Sequence, residues 1–447
     1  MEKNSYNTVR GDTMIRNIYQ DLKSWKRNPN RKPLLLFGAR QVGKTYILSE
    51  FGKNEYRNLV YVNLERDSLI REVFELTLDP REIVKEIELF IGSKIDKSDT
   101  LLFIDEIQVS ERAITSLKYF NEELNDLHVV AAGSLLGVVI NRESVSFPVG
   151  KVELHKLYPM TFDEFLVALN EELLLETIRK SIEESNPLSR VAHEKGLKLY
   201  KEYLVIGGMP EMVQNFINSD SNLQSAEYTI LDNILNSYKA DMSKYTTASE
   251  ALKVRSIYDS IPAQLVSDYK KFKYSVVKKG AKARDYQGSI EWLLMSNICI
   301  ESIEVNRGET PLKAFADSKR FKLYMCDVGL LTRSANLSPL VVLKDEDYIF
   351  KGAITENYVA QHIKTMSELY YWKKNTYEVD FLIECGEDII PIEVKSKENT
   401  RARSLKEYNR IYSGNKSVIF SQKNLLVKEN VLYIPLYAVW AYLDYLK

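Results

Sequence analysis

The segment Gly38-Ala39-Arg40-Gln41-Val42-Gly43-Lys44-Thr45 constrains this chain more than any other. Its spacing is that of a phosphate-cradling loop, G-x-x-x-x-G-K-[ST]. The apolar run Leu34-Leu35-Leu36-Phe37 precedes it and a helical pattern, Thr45–Phe51, follows, so it sits on a strand-to-helix turn. Chemistry explains the spacing. Glycines let the backbone curl so that successive N–H groups face an anion, with the positive end of the following helix behind them. Lys44 is then placed to reach β- and γ-phosphates, and the Thr45 hydroxyl to ligate Mg²⁺. ATP with Mg is the expected ligand pair, and Gly38, Ala39, Arg40, Gln41, Val42, Gly43, Lys44 and Thr45 are the expected cradle.

A second signal is independent of the first. Leu101-Leu102-Phe103-Ile104-Asp105-Glu106 is an apolar strand ending in two carboxylates. Beside a phosphate loop, Asp105 is expected to hold Mg²⁺ and Glu106 to orient or deprotonate the attacking water. Further near-continuous apolar runs, Asn58–Leu64, Leu127–Ala132 and the weaker Lys151–Leu157, alternate with helix-length stretches. Runs of this kind indicate buried parallel strands in a wound α/β sheet. One strand run lies between the two motifs, which points to the additional-strand class of such sheets. Ser134, at the end of Val129-Val130-Ala131-Ala132-Gly133-Ser134, is either a sensor of the γ-phosphate or a plain strand-end serine.

With 447 residues the chain has room for two or three domains. A 45% apolar and 28% charged composition suits buried cores, and the formal charge of −1 excludes a polycation, so any nucleic-acid contact must be local. Cys299, Cys326 and Cys385 are widely separated, as are the four histidines. Neither a disulfide framework nor a zinc site is expected, and a cytoplasmic setting is. No apolar run reaches bilayer-spanning length, so no membrane partner is expected.

From Phe162 to Ile300 helical patterns dominate. After about Phe350 comes a helix, Thr355–Ile363, then strand runs at Tyr370–Lys373, Glu378–Ile383 and Ile389–Val394, a charged helix from Arg401 to Tyr412, and a strand, Ser417–Ser421. Asp380 interrupts an apolar strand, where an ionised carboxylate is costly without a compensating cation. Glu393 and Lys395 alternate on one face of the next strand. With Glu356 upstream they resemble the PD-(D/E)xK nuclease arrangement. Asp380, Glu393 and Glu356 are oxygen ligands suited to Mg²⁺, and Lys395 is suited to stabilise charge on phosphorus oxygens. Basic residues outnumber acidic ones between Pro391 and Leu425. The stretch Lys270, Lys271, Lys273, Lys278, Lys279, Lys282 and Arg284, interleaved with Tyr269, Phe272 and Tyr274, is either a DNA or RNA contact or a charged face over core aromatics.

The loop, Phe103-Ile104-Asp105-Glu106-Ile107-Gln108 and Ala132-Gly133-Ser134 together resemble prokaryotic AAA+-type P-loop ATPases, and more closely those carrying the C-terminal domain of unknown function 4143. The resemblance continues through Leu157-Tyr158-Pro159-Met160-Thr161-Phe162-Asp163-Glu164-Phe165, Tyr203-Leu204-Val205-Ile206-Gly207-Gly208-Met209-Pro210 and Phe321-Lys322-Leu323-Tyr324-Met325-Cys326-Asp327-Val328-Gly329-Leu330. It implies an α/β P-loop NTPase core over 1–160, a helical, winged-helix-like region over 161–345 and an α/β restriction-endonuclease-like domain over 346–447. Where relatives usually have Gly-Arg this chain has Gly150-Lys151, so Lys151 stands in for a finger on a neighbour's γ-phosphate in a homo-oligomer; Arg142 is the other candidate. Three functions stay open at this point: ATP hydrolysis gating a nucleic-acid-directed C-terminal domain, a nucleotide-dependent switch or adaptor with negligible hydrolysis, and metal-dependent nuclease activity.

Overall fold

The computed structural model describes residues 14–140, 147–244, 246–267, 270–344, 348–396, 402–412 and 416–447. Arg142, Tyr269 and Arg401, on which parts of the sequence reading rest, lie outside them.

The apolar runs of the first third form a parallel sheet of β1 (Leu34–Phe37), β2 (Asn58–Asn63), β3 (Thr100–Asp105), β4 (His128–Gly133) and β5 (Glu153–Lys156). Their order is β2-β3-β4-β1-β5. β3 is buried at every position, as a strand covered by helices on both faces must be. Leu34, Leu36, Leu101, Phe103, Val130 and Ala132 feed one core, whereas Leu35, Leu102, Ile104, Val129 and Ala131 feed another. β4 stands between β1 and β3, the additional-strand order. Because all pairings are parallel, the loop, Asp105 and Ser134 emerge at one end of the sheet, where open α/β sheets bind ligands.

Helices fill the middle, among them Arg190–Ile206, Pro210–Asn218, Thr229–Lys244 and Ala248–Val266. Local sequence starts them: Ser189 accepts from Ala192 N, Thr247 and Glu250 form a capping box, and Pro210 occupies a first helical position.

A second, mixed sheet follows, built of β6 (Cys299–Val305), β7 (Ala316–Met325), β8 (Leu369–Lys374), β9 (Tyr377–Cys385), β10 (Asp388–Val394), β11 (Ser417–Ser421), β12 (Leu426–Lys428) and β13 (Val431–Pro435). Its order is β12-β13-β11-β10-β9-β8-β6-β7. β8, β9 and β10 are antiparallel neighbours, and β11 pairs parallel with β10 after the helix Arg403–Tyr412. This sheet also draws β6 and β7 from before residue 345, a stretch read from sequence as helical. Asp317, Lys319, Arg320 and Lys322 break the apolar alternation of β7 and hide its period.

Three sequence strings that carry no evident chemistry meet in one place. The Asp327 carboxylate, fully buried, accepts from Gly208 N at 2.6 Å and from Leu330 N at 3.0 Å. Met160 N donates to Gly208 O at 2.6 Å. A Cβ at Gly208 would stand 2.0 Å from Met160 O, and one at Gly329 2.5 Å from Ile206 O. Only glycine permits these backbones to touch. The knot joins the end of the first sheet, the helical middle and β7. Gln361, on the helix Lys351–Lys364, extends it by accepting from Val328 N at 2.7 Å and donating to the Tyr203 hydroxyl at 2.9 Å. The three cysteines are free. Among the described residues no helix is long and apolar enough to cross a membrane.

Asp327→Ala leaves at least two buried N–H groups without acceptors and removes a helix cap. A loss of about 2–4 kcal/mol is expected, read as a lowered midpoint in denaturant unfolding; an unchanged midpoint would show that the knot is dispensable.

Candidate functional site

The loop follows from its glycines. Gly38 has φ +152°, and a Cβ there would stand 2.1 Å from Leu157 O, so β5 packs against bare backbone. Gly43 has φ +94° and opens the helix Lys44–Glu55. Lys44 is buried, and its Nζ donates to Gly38 O at 3.0 Å and Ala39 O at 2.7 Å. The ammonium thus bonds back onto carbonyls of its own loop. Burial pushes Lys44 down to about 8, partly offset by Glu106 and Asp105.

Thr45 Oγ1 donates to Asp105 Oδ2 at 2.9 Å, and the Tyr61 hydroxyl donates to the same oxygen at 3.0 Å. These are hard oxygen donors at the strand end, a set that fits Mg²⁺. Glu106 has φ +51°, an uncommon conformation for a non-glycine residue that turns the chain sharply at the strand end. Gln108 Nε2 donates to Glu106 Oε2 at 2.5 Å. Gly133 makes room for this glutamine, since a Cβ there would lie 2.6 Å from Gln108 Oε1. Ser134 is buried, and its Oγ has no hydrogen-bond partner. Lys44, Thr45, Glu106 and Ser134 line one cavity of about 550 Å³, together with Arg16, Arg40, Tyr46, Pro210, Glu211 and Gln214.

Two of the lining arginines fix the walls of this cavity. Buried Arg16 donates through Nη1 to Val42 O at 2.9 Å and through Nη2 to Tyr158 O at 2.7 Å, and pairs with Glu164 at 3.1 Å. Arg40 reaches Asp241 of the helix Thr229–Lys244 at 2.7 Å, and Tyr238 of that helix donates to Arg40 O at 3.0 Å. The loop is therefore clamped to the helical middle. Lys151 is not brought to this cavity within the chain. It precedes β5, at the end of the sheet away from the loop, and pairs with Glu122 at 2.8 Å.

The C-terminal residues gather around two lysines that the sequence reading did not assign to them. Glu356, expected as a metal ligand, has both oxygens engaged. Oε1 accepts from Lys322 at 3.0 Å and the Tyr324 hydroxyl at 2.6 Å, and Oε2 accepts from Lys270. Lys322 also lies 2.7 Å from Glu378 and 3.9 Å from Asp380. Asp380 Oδ2 accepts from Val394 N at 2.8 Å. Glu393 pairs with Lys395 through Oε1, while its Oε2 is buried without a partner. Burial would raise Glu356, but Lys270 and Lys322 outweigh it and hold the carboxyl below its usual range. Burial, with Glu356 close by, pushes Asp380 up. Among the described residues no three His, Cys, Asp or Glu are placed to hold a metal ion. Of the basic stretch, Lys273, Lys278, Lys279, Lys282 and Arg284 are exposed. Phe272 is buried and stacks on Phe321 with centroids 5.3 Å apart, so this aromatic faces the core.

Residues 30–166 match a family described as an AAA domain, residues 197–340 a domain of unknown function 8612, and residues 351–439 a domain of unknown function 4143. The chain thus carries an AAA-type P-loop domain and, behind it, a C-terminal domain of unknown function 4143. No curated protein matches it in sequence. Among solved structures it is similar to the Walker-type ATPase PABY2304 of Pyrococcus abyssi, at 17% identity over 73% of this chain and 97% of that one, with a TM-score of 0.43. It is also similar to the Aeropyrum pernix ORC1 protein in complex with DNA, at 15% identity over 72% and 91% with a TM-score of 0.29, and to the ORC2 protein of the same organism, at 12% over 81% and 98% with 0.36.

The functional residues that sequence reasoning missed are second partners. Gln108 had a signal, two positions beyond Glu106 and ahead of the Gly133 gap. Lys322 had one too, as a lone charge in Phe321-Lys322-Leu323-Tyr324-Met325. Arg16 and Asp241 had none, because their roles depend on contacts more than twenty residues away.

The lowered Lys44 value has a consequence for ligand binding. A triphosphate favours the charged ammonium, so above pH 8 binding must draw in a proton. ATP affinity is expected to fall by up to about tenfold per pH unit above that point, with proton uptake visible in calorimetry across buffers of different ionisation enthalpy. Affinity that is flat from pH 7 to 9.5, values set as roughly bracketing that shift, would contradict it.

Proposed function

We propose that this AAA protein binds ATP in the cavity behind Gly38–Thr45, hydrolyses it with Mg²⁺, and uses the nucleotide state to set its helical middle against a nucleic-acid-directed C-terminal unit. The observation that carries this reading is the convergence of Lys44, Thr45, Glu106 and unpartnered Ser134 on one cavity. Lys44 exchanges two backbone carbonyls for β- and γ-phosphate oxygens. Thr45 and Asp105 would hold Mg²⁺, which neutralises phosphate charge when bound. Glu106, held by Gln108, orients or deprotonates the attacking water. Ser134 Oγ donates to the γ-phosphate. Lys151 acts, in this reading, on the site of a neighbouring copy in a homo-oligomer. The Arg40–Asp241 pair carries the loop's state into the helix Thr229–Lys244.

In this reading the ATPase core ends near residue 160, a helical middle follows, and the C-terminal unit includes β6 and β7 from ahead of residue 345. The order helix, β8, β9, β10, helix, β11 supports a nuclease-like reading of that unit, with Asp380, Glu393, Lys395 and Glu356 on its site. Exposed Lys278, Lys279, Lys282 and Arg284 supply charge for a DNA backbone. Lys322 and Lys270 within the acidic cluster favour the second reading, in which the unit binds DNA or a protein partner without cleaving. Three free cysteines fit a cytoplasmic setting.

Glu106→Gln is expected to keep nucleotide binding while ATP turnover falls about 10²–10⁴-fold, and Lys44→Ala to lose binding. Fluorescent-nucleotide titration and phosphate release measure the two. Undiminished turnover in Glu106→Gln would remove Glu106 from the chemistry and favour a pure binding switch.

A further inference from the structure

A carboxylate cluster of this density requires positive charge. Glu356 and Glu393 are almost wholly buried, and Glu378 and Asp380 are largely so. Four lysines face these four groups: Lys270 and Lys322 on Glu356, Lys322 and Lys373 on Glu378, Lys322 near Asp380, and Lys395 on Glu393. The formal charges cancel within the protein. Lys322 is the centre of the arrangement. It is fully buried, touches three of the four carboxylates, and lies over the Tyr371 ring with its Nζ 4.9 Å from the centroid.

An ammonium in that position is costly in isolation, because burial strips its hydration. It is held there because three carboxylates and a ring face share its charge. Conversely, removing it leaves four carboxylates facing three lysines, and takes from Asp380 its ion-pair partner among the described residues. β7 delivers Lys322 and the stretch after the helix Ala248–Val266 delivers Lys270, so both come from outside the 351–439 match. Tyr324, two residues along β7 on the same face, donates to the Glu356 oxygen that Lys322 also binds.

We propose that Lys322 is the built-in cation of the C-terminal acidic cluster. A tethered ammonium, donated by β7, occupies the place that a divalent ion would need between Glu356, Glu378 and Asp380, and the cluster takes up such an ion only when Lys322 is removed or withdrawn. This inference goes beyond the nucleotide reading and does not depend on it.

The test uses the full chain without nucleotide and counts bound Mn²⁺ by electron paramagnetic resonance. Wild type and Asp380→Asn are expected to bind Mn²⁺ equally. Lys322→Met is expected to gain a bound Mn²⁺, to lose it again when combined with Asp380→Asn, and to melt lower in EDTA than in Mn²⁺. Loss of a bound Mn²⁺ from wild type on Asp380→Asn overturns the proposal, as does a Lys322→Met protein that gains none. If Lys322→Met is insoluble, refolding in Mn²⁺ but not in EDTA supports the proposal, and failure in both overturns it. An intact ATP turnover in wild type has no bearing on either result, so the two readings fail separately.

Discussion

One buried carboxylate holds the parts of this protein to each other. Asp327 receives N–H groups from the Gly207-Gly208 turn and from its own helix start, while the same turn exchanges a bond with Met160 at the end of the first sheet. An acceptor placed against bare backbone can bind several donors at once, and the low polarity around it strengthens each bond. Glycine is required because a side chain at 208 or 329 would push these backbones apart, and one at 207 would strike the Asp327 carboxylate. Burial pushes Asp327 up to about 6, so the cost of desolvating its charge exceeds what its backbone donors return.

The nucleotide site is built on a second kind of economy. Lys44 is buried and its ammonium is satisfied by carbonyls of its own loop, which ties the cradle's two ends together. Outside it, Arg16 ties the loop to the segment after β5, and Arg40 ties it to the helical middle. Any rearrangement of the loop therefore pulls on helices whose other ends are fixed. Arg333, six residues past Asp327, pairs with Asp232 of the same helix that carries Asp241, so loop and knot share one rigid element.

The acidic cluster shows the opposite balance of forces. There the charges are many, and each is compensated by lysines drawn from separate segments. Such pairs contribute little net stability against a well-packed apolar alternative but are strongly destabilising when broken. Their effect is to fix the position of the helix Lys351–Lys364 on its sheet, since Glu356, Asn357 and Gln361 all bond to β7 or the residues just after it.

The sequence alone determined the phosphate loop, the acid-ended strand and the five parallel strands around them, because these depend on local patterns: a glycine spacing, continuous apolar runs, a polar residue at a strand end. It also located Glu356, Asp380, Glu393 and Lys395 on their helix and strands, since amphipathic period places residues within one element. Tertiary structure decided what those residues face. Lys322 sits 58 residues before Asp380 in the chain, and no periodicity links them. β6 and β7 join the second sheet only because strand pairing supplies their hydrogen bonds, which their mixed charge pattern does not announce. Asp327 and its glycines were visible as specific strings without a purpose. Their meaning is a close backbone approach, and that exists only once distant segments have packed.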